Sequence, residues 1–255
     1  MAVEVNGKPA HFLIDTGGPD IIIDPDFAKE IGATVVDDGA SVFAGGLRAT
    51  VRRTVVDSFA LGGLAVSKQA AGVLPTRGLP FGGKTSIDGV IGTGFLMHFL
   101  ATIDYGHHAL ILAPRENVVV RPGATSVPMW FVGDHFIFAR GAINGVPMLM
   151  LVDTGLAGGG VMPSAASVTA AHIALDKAHA TQGIGGGGPV TAVPFVAKSV
   201  ALGAFTRTDV GGIYTPEGSP LSAFPFAVGG VVSHGFFSPG ALTFDFANMR
   251  LIVTK

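Results

Sequence analysis

Residues 5–17 read VNGKPAHFLIDTG, and residues 143–155 read INGVPMLMLVDTG. The two stretches align without a gap at an offset of 138, which places Asn6, Gly7 and Pro9 over Asn144, Gly145 and Pro147. Each runs from an Asn-Gly turn through a short apolar segment to Asp-Thr-Gly. Pro25 and Pro163 keep the same offset. A second block repeats at 141, where DGVIGTGFLMHFLATIDYGHHALIL (88–112) lies over GGVVSHGFFSPGALTFDFANMRLIV (229–253). Ala60-Leu61-Gly62 over Ala201-Leu202-Gly203 shares that offset. The change from 138 to 141 calls for a three-residue insertion in the middle of the second copy. Repetition on this scale marks two related halves. They span 1–122 and 123–255 and meet near Arg121-Pro122-Gly123.

Inside each half the pattern is mostly strand. His11–Ile14 and Met148–Val152 are apolar runs ending at Asp, each preceded by the tight-turn signal Asn-Gly. Ala101–Tyr105 and Ala109–Leu112 flank Gly106-His107-His108 as a hairpin, repeated by Leu242–Phe246 and Leu251–Val253. Ala49–Val56 and Thr191–Val200 are β-branched strand candidates. Each half carries one expected helix. Asp26 is the expected N-cap of Phe27–Ile31 with Gly32 as its stop, and Ser164 caps Ala165–Ala174. The reading is all-β: two lobes, each with one short helix, and no doubly wound alternation.

Composition narrows the function. The chain has 255 residues, 48% hydrophobic and 13% charged, with 38 Gly and 16 Pro, which describes a folded, turn-rich protein. A net charge of −2 gives no footprint for nucleic acid. Cysteine is absent, so disulfides and thiol chemistry are excluded. The most apolar windows, Val90–Ile103 and Leu221–Val232, are broken by Gly, His or Pro, and no membrane span is expected. The N-terminus shows no charged segment followed by an apolar one.

Each Asp-Thr-Gly has a mechanical rationale. The apolar strand carries the carboxylate into an enclosed place, Gly17 and Gly155 allow close backbone approach, and Thr16 and Thr154 offer uncharged hydroxyls. A two-fold relation between the halves would bring Asp15 and Asp153 together on its axis. Two ionised carboxylates about 3 Å apart, at an effective dielectric near 20, would repel by roughly 5 kcal/mol. That equals about four pKa units, so the pair should hold one proton between them.

On these motifs the halves resemble retropepsin-like aspartyl protease domains, and the whole chain resembles bacterial two-copy members of that group, similar in plan to pepsin. The motifs are the paired apolar-Asp-Thr-Gly, the later Val90-Ile91-Gly92, and the Gly-Phe-Leu…Thr-Ile-Asp-Tyr segment after it. The resemblance implies a pepsin-like fold and an aspartic endopeptidase with Asp15 and Asp153 as catalytic pair. Thr16, Gly17, Thr154 and Gly155 would support them. It implies an extended peptide or protein substrate, a monomer with both half-sites in one chain, no cofactor, no metal, and an exported or periplasmic setting. It also implies hairpins that close over substrate. Phe43, Ala44, Gly45 and Gly46 occupy one such place, and Gly183, Ile184, Gly185 and Gly186 the other. An ordinary glycine-rich surface loop is the competing reading.

Three departures stand out. Gly18 and Leu156 follow the motifs where relatives carry Ala or Ser, and Ser233 stands where Gly is expected, followed by His234. They motivate an alternative, a peptide-binding protein that has lost turnover; a hydrolase acting on a non-peptide substrate or with a metal is another. Among other residues, Asp104 and Asp245 read as structural groups near turns. His107-His108 reads as a solvated turn, and His172 and His179 as histidines with no acidic partner nearby. Trp130 and Phe131 are expected in core or inter-lobe packing. Gly183–Gly188 matches a dinucleotide-binding pattern in form only, since no helix follows it.

Overall fold

Asn6 and Gly7 adopt φ of 49° and 77°, and Asn144 and Gly145 repeat this at 50° and 82°. Two successive left-handed residues make the mirror-image hairpin turn whose twist suits the flanking strands, and Asn-Gly tolerates it best. Asn is needed for a second reason. The Asn6 side chain donates to Ile31 O and accepts from Ser58 N, and Asn144 donates to Ala171 O and accepts from Ser199 N. Each turn thereby ties the first hairpin of its half to a helix end and to a long strand.

A computed structural model describes residues 1–42, 48–79, 85–116, 118, 120, 122–185, 188–216 and 220–255. The first half contains β1 (Ala2–Val5), β2 (Lys8–Ile14), β3 (Ile21–Ile23), α1 (Pro25–Glu30), β4 (Val36–Val42) and β5 (Arg48–Leu61). It continues through β6 (Leu64–Val73), β7 (Gly89–Ile91), α2 (Thr93–Leu96), β8 (Leu100–Asp104) and β9 (Ala109–Ala113). The second half adds β10 (Thr125–Val132), β11 (Phe136–Ile143), β12 (Val146–Val152), β13 (Val161–Pro163), α3 (Ala165–Ala170) and β14 (Thr181–Gly185). It closes with β15 (Gly188–Leu202), β16 (Phe205–Tyr214), β17 (Gly230–Val232), α4 (His234–Phe237), β18 (Ala241–Asp245) and β19 (Arg250–Thr254).

The first lobe is the sheet β1-β2-β7-β3-β6-β5-β4, closed by β5 pairing back to β1. The second is its image, β14-β15-β16-β13-β17-β12-β11, closed by β15 on β11. In both, the strand that ends at Asp-Thr-Gly lies parallel to the short apolar strand of the later motif, β2 beside β7 and β12 beside β17. Strands buried on both faces read as continuous apolar runs, as Val90-Ile91 and Val231-Val232 do. The lobes join through β8 and β18, which pair antiparallel in the order β9-β8-β18-β19-β10. Thr102 faces Thr243 in that register with their hydroxyls 2.7 Å apart. These two residues are counterparts at 141, so the pseudo-two-fold axis passes between them.

Three details correct the sequence reading. The α1 cap is Asp24, whose carboxylate accepts from Asp26 N, and Pro25 takes the first helical position. Ser164 does cap α3, which ends at Ala170. Each half holds a second, one-turn helix, α2 or α4, directly after the later apolar motif. The insertion is also placed differently. Three residues, 18–20, separate the first Asp-Thr-Gly from β3, whereas five, 156–160, separate the second from β13. Two of the three extra residues therefore lie beside the second Asp-Thr-Gly. The shared offset of Pro25 and Pro163 is coincidental, since Pro25 opens a helix and Pro163 ends a strand.

Candidate active site

β2 and β12 deliver Asp15 and Asp153 from opposite sides of the axis, each backbone pinned by its parallel neighbour. Asp15 N donates to Ile91 O and Asp153 N to Val232 O, both at 3.0 Å. Directly below, the threonines cross. Thr16 Oγ1 donates to Val152 O and accepts from Thr154 N, both at 3.1 Å. Thr154 Oγ1 donates to Ile14 O at 3.2 Å and accepts from Thr16 N at 3.1 Å. Thr16 is fully buried and Thr154 is 7% exposed, so these four bonds form out of water, where an unmade one is expensive. They are the reciprocal weld between halves.

The glycines bring the carboxyls together. A Cβ on Gly17 would stand 2.6 Å from Asp153 Oδ2, and a Cβ on Gly155 would stand 2.1 Å from Asp15 Cγ. Each glycine thus floors the opposite half's carboxyl, and no side chain fits. Gly17 N donates to Asp15 Oδ1 at 2.8 Å and Gly155 N to Asp153 Oδ1 at 2.9 Å. The two carboxyls lie within hydrogen-bonding contact. Burial, then the charge of Asp15 and the bond to it, push Asp153 well above the ordinary carboxylate range; the N–H groups of Gly155 and Leu156 pull the other way. Both aspartates keep part of their residue surface open to solvent.

Support for the two loops differs. In the first half Thr93 Oγ1 donates to Thr16 O at 2.9 Å; in the second Ser233 Oγ donates to Leu156 O at 2.8 Å. The first half also contains a charge network. Asp24 accepts from Thr76 N, Arg77 N and Asp26 N, while Arg77 grips Asp88 with Nε and NH2 and Glu30 with NH1. Asp88 in turn accepts from His11 N, at the start of the run leading to Asp15. At the matching positions the second half has Ser164 and Gly229, with Ser164 N bonded to Gly229 O as Asp24 N is to Asp88 O, and it carries a separate apolar cluster of Phe138, Leu151, Met162, Leu221, Val228 and Val231.

Asp15, Thr16, Gly17, Asp153, Thr154 and Gly155 meet at one point. Gly183, Ile184 and Gly185 belong to the β14–β15 hairpin, where Gly185 pairs with Gly188. Phe43, Ala44, Gly45, Gly46 and Gly186 lie outside the described residues. Asp104 accepts from His107 N, and Asp245 from Asn248 and Arg250, as expected of turn groups. Two expectations fail. His179 does have an acidic partner, Asp176 Oδ2, at 2.7 Å, because a 3-10 turn over Lys177–His179 brings them together. Trp130 is 43% exposed with Arg140 over its ring, while Phe131 packs edge-on against Phe246. Sequence reasoning missed Asp24, Arg77 and Asp88. Two signals were available: Pro25 at the first helical position, which favours Asp24 as its cap, and Asp88 standing where the second copy has Gly229.

Two β lobes related by a pseudo-two-fold axis, with an Asp-Thr-Gly loop from each meeting on that axis, define the aspartyl protease class. The chain belongs to that family: a model of the aspartyl protease family matches residues 1–95 and again 139–233. Both copies of the motif fall within the matched segments. No curated protein matches the chain significantly. Among the described residues no helix is long and apolar enough to cross a membrane.

Proposed function

We propose that the chain is an aspartic endopeptidase, built from lobes 1–122 and 123–255, in which Asp15 and Asp153 share one proton. The observation that carries this reading is the reciprocal seating of each carboxyl on the opposite glycine, Asp153 over Gly17 and Asp15 over Gly155. Like charges this close resist ionising together, so the pair holds one proton between them over a broad range. The ionised member takes a proton from water as that water attacks the scissile carbonyl, and the protonated member donates to the carbonyl oxygen. The carboxyl that took the proton from water then gives it to the amide nitrogen while the other takes a proton back from a diol hydroxyl, so the C–N bond breaks and amine and acid leave. The substrate would be an extended peptide between the lobes, held by backbone hydrogen bonds along the β14–β15 hairpin and its first-half counterpart, with apolar side chains in pockets.

Digestion of a random peptide library across pH, with Asp15→Asn and Asp153→Asn beside the parent, tests this. Each substitution should lower kcat/KM by about a thousandfold or more, near the upper range for loss of an acid–base group. A statine-type mimic should block the parent and a chelator should not. Equal cleavage by all three proteins would rule the dyad out. The second reading, a peptide binder without turnover, draws on Gly18, whose N–H goes to the Asp15 carbonyl (3.1 Å) with no following hydroxyl to reach the carboxylate. Saturable peptide binding with no cleavage at any pH would favour it.

A further inference from the structure

The Gly-to-Ser difference after the later apolar motif has a geometric cause. In the first half a Cβ on Gly92 would stand 2.4 Å from Asp20 O and 2.5 Å from Gly18 O. The three-residue loop lies flush against it, with Gly92 N bonded to Asp20 O and Thr93 N to Gly18 O. In the second half the loop is two residues longer and swings out through Gly158 and Gly159, at φ of 93° and 147°, values that only glycine adopts readily. The space so opened holds the Ser233 side chain, which is fully buried. Its N–H bonds Gly160 O at 2.9 Å and its Oγ–H bonds Leu156 O at 2.8 Å, so one residue clamps the loop at both ends.

We propose that Ser233 is a positioning residue for Asp153: its hydroxyl latches the lengthened loop and so holds the backbone donors at that carboxylate in place. The step from latch to carboxylate is short. Leu156 directly follows Gly155, whose N–H donates to Asp153 Oδ1 at 2.9 Å, and the Leu156 N–H points at the same group. Neither motif is followed by a hydroxyl of its own, and here one arrives from the neighbouring strand end instead. Its proton is committed to Leu156 O, which leaves an Oγ lone pair to accept from His234 Nδ1 at 3.3 Å. Among the described residues, His234 contacts Ser233 Oγ and Asp15 contacts Asp153, and these are the titratable groups recorded at this end of the loop. Ser233 is therefore an adaptation to the longer loop and not a sign of decay.

The proposal rests on the dyad reading, so its test has one readout tied to catalysis and one that is not. Ser233→Ala should lower kcat by about tenfold with KM within about twofold, the pattern for an interaction that matters most in the transition state. Asp153 is the carboxyl that burial and Asp15 push upward, so losing its donors raises it further, and the alkaline limb of kcat/KM should move up by about half a pH unit or more. Ser233→Thr, which keeps the hydroxyl, should restore both. Independently of turnover, amide exchange at Gly155 and Leu156 should accelerate about tenfold or more in Ser233→Ala. If the parent never cleaves peptide, the dyad reading fails and the exchange data still judge the latch. Unchanged exchange, or loss of kcat with no shift of the alkaline limb and no rescue by Thr, would overturn the proposal. Should Ser233→Ala not fold, replacing residues 156–160 by Gly-Pro-Asp gives a second test. With Ser233 present the short loop should destabilise the protein, and Ser233→Gly should relieve it; no relief would contradict the latch.

Discussion

The two halves agree closely where they touch and diverge where they do not. At the axis the threonine bonds agree within 0.1 Å across the pair, and each glycine floors the opposite carboxyl. One layer out, the first half relies on a short loop, Gly92 and the charges of Asp24, Arg77 and Asp88. The second relies on a long loop, Ser233 and aromatic packing of Phe136, Phe138, Phe224 and Phe226. Two carboxyls seated against each other's glycines impose a common geometry on the loops that hold them, and one layer out that constraint is gone. Asymmetric support also makes the two aspartates inequivalent.

The divergence can be broken one half at a time. Phe138→Ala empties the second-half cluster and should destabilise by about 3–5 kcal/mol in denaturant unfolding, the usual cost of removing a buried Phe. Gly92→Ser imports the second half's residue without its loop. Two backbone oxygens inside 2.6 Å leave no room, and a loss of about 3 kcal/mol with near-complete loss of cleavage is expected. Symmetry is tested by Thr16→Val and Thr154→Val. Each strands a buried N–H and a carbonyl, so each should cost about 2–3 kcal/mol in denaturant unfolding. Unequal single effects would break the pseudo-two-fold account.

Arg77→Met should cost about 2 kcal/mol, below the value for a fully buried pair because Arg77 is partly exposed. The smallest effect is in the pH dependence. Burial pushes the Asp24 carboxyl up, but the N–H groups of Arg77, Thr76 and Asp26 outweigh it and hold it below its ordinary value. Bonds from Arg77 and Lys8 lower Glu30 to about 2. A lowered folded-state value gives stabilisation that is complete above the ordinary carboxylate range and lost as pH falls toward the lowered one. Amide exchange at about pH 3 should therefore show the first half losing protection before the second, and Arg77→Met should shrink that difference.

Much of this was legible in the sequence, and the reasons are specific. The repeated Asp-Thr-Gly carried the fold and the central pair, because both strand and turn signals agree around it. Helix α1 was found but capped at Asp26; a proline at the first helical position already argued for Asp24. The insertion was misplaced because Pro25 and Pro163 share an offset by accident. The hairpins of β8–β9 and β18–β19 were visible, but their pairing across the axis was not, since strand partners far apart in sequence leave no local trace. The meaning of Ser233 depends on loop length, and so only the folded chain reveals it. Phe43–Gly46, expected to close over substrate, lies outside the described residues.

The central claim is one proton held between Asp15 and Asp153, and 13C NMR titration of aspartyl-labelled protein reads it directly. The account predicts that the two carboxyls respond together in two steps several pH units apart, and that the upper step vanishes in Asp15→Asn. Two independent titrations near pH 4, unaltered by replacing the other aspartate, would contradict it.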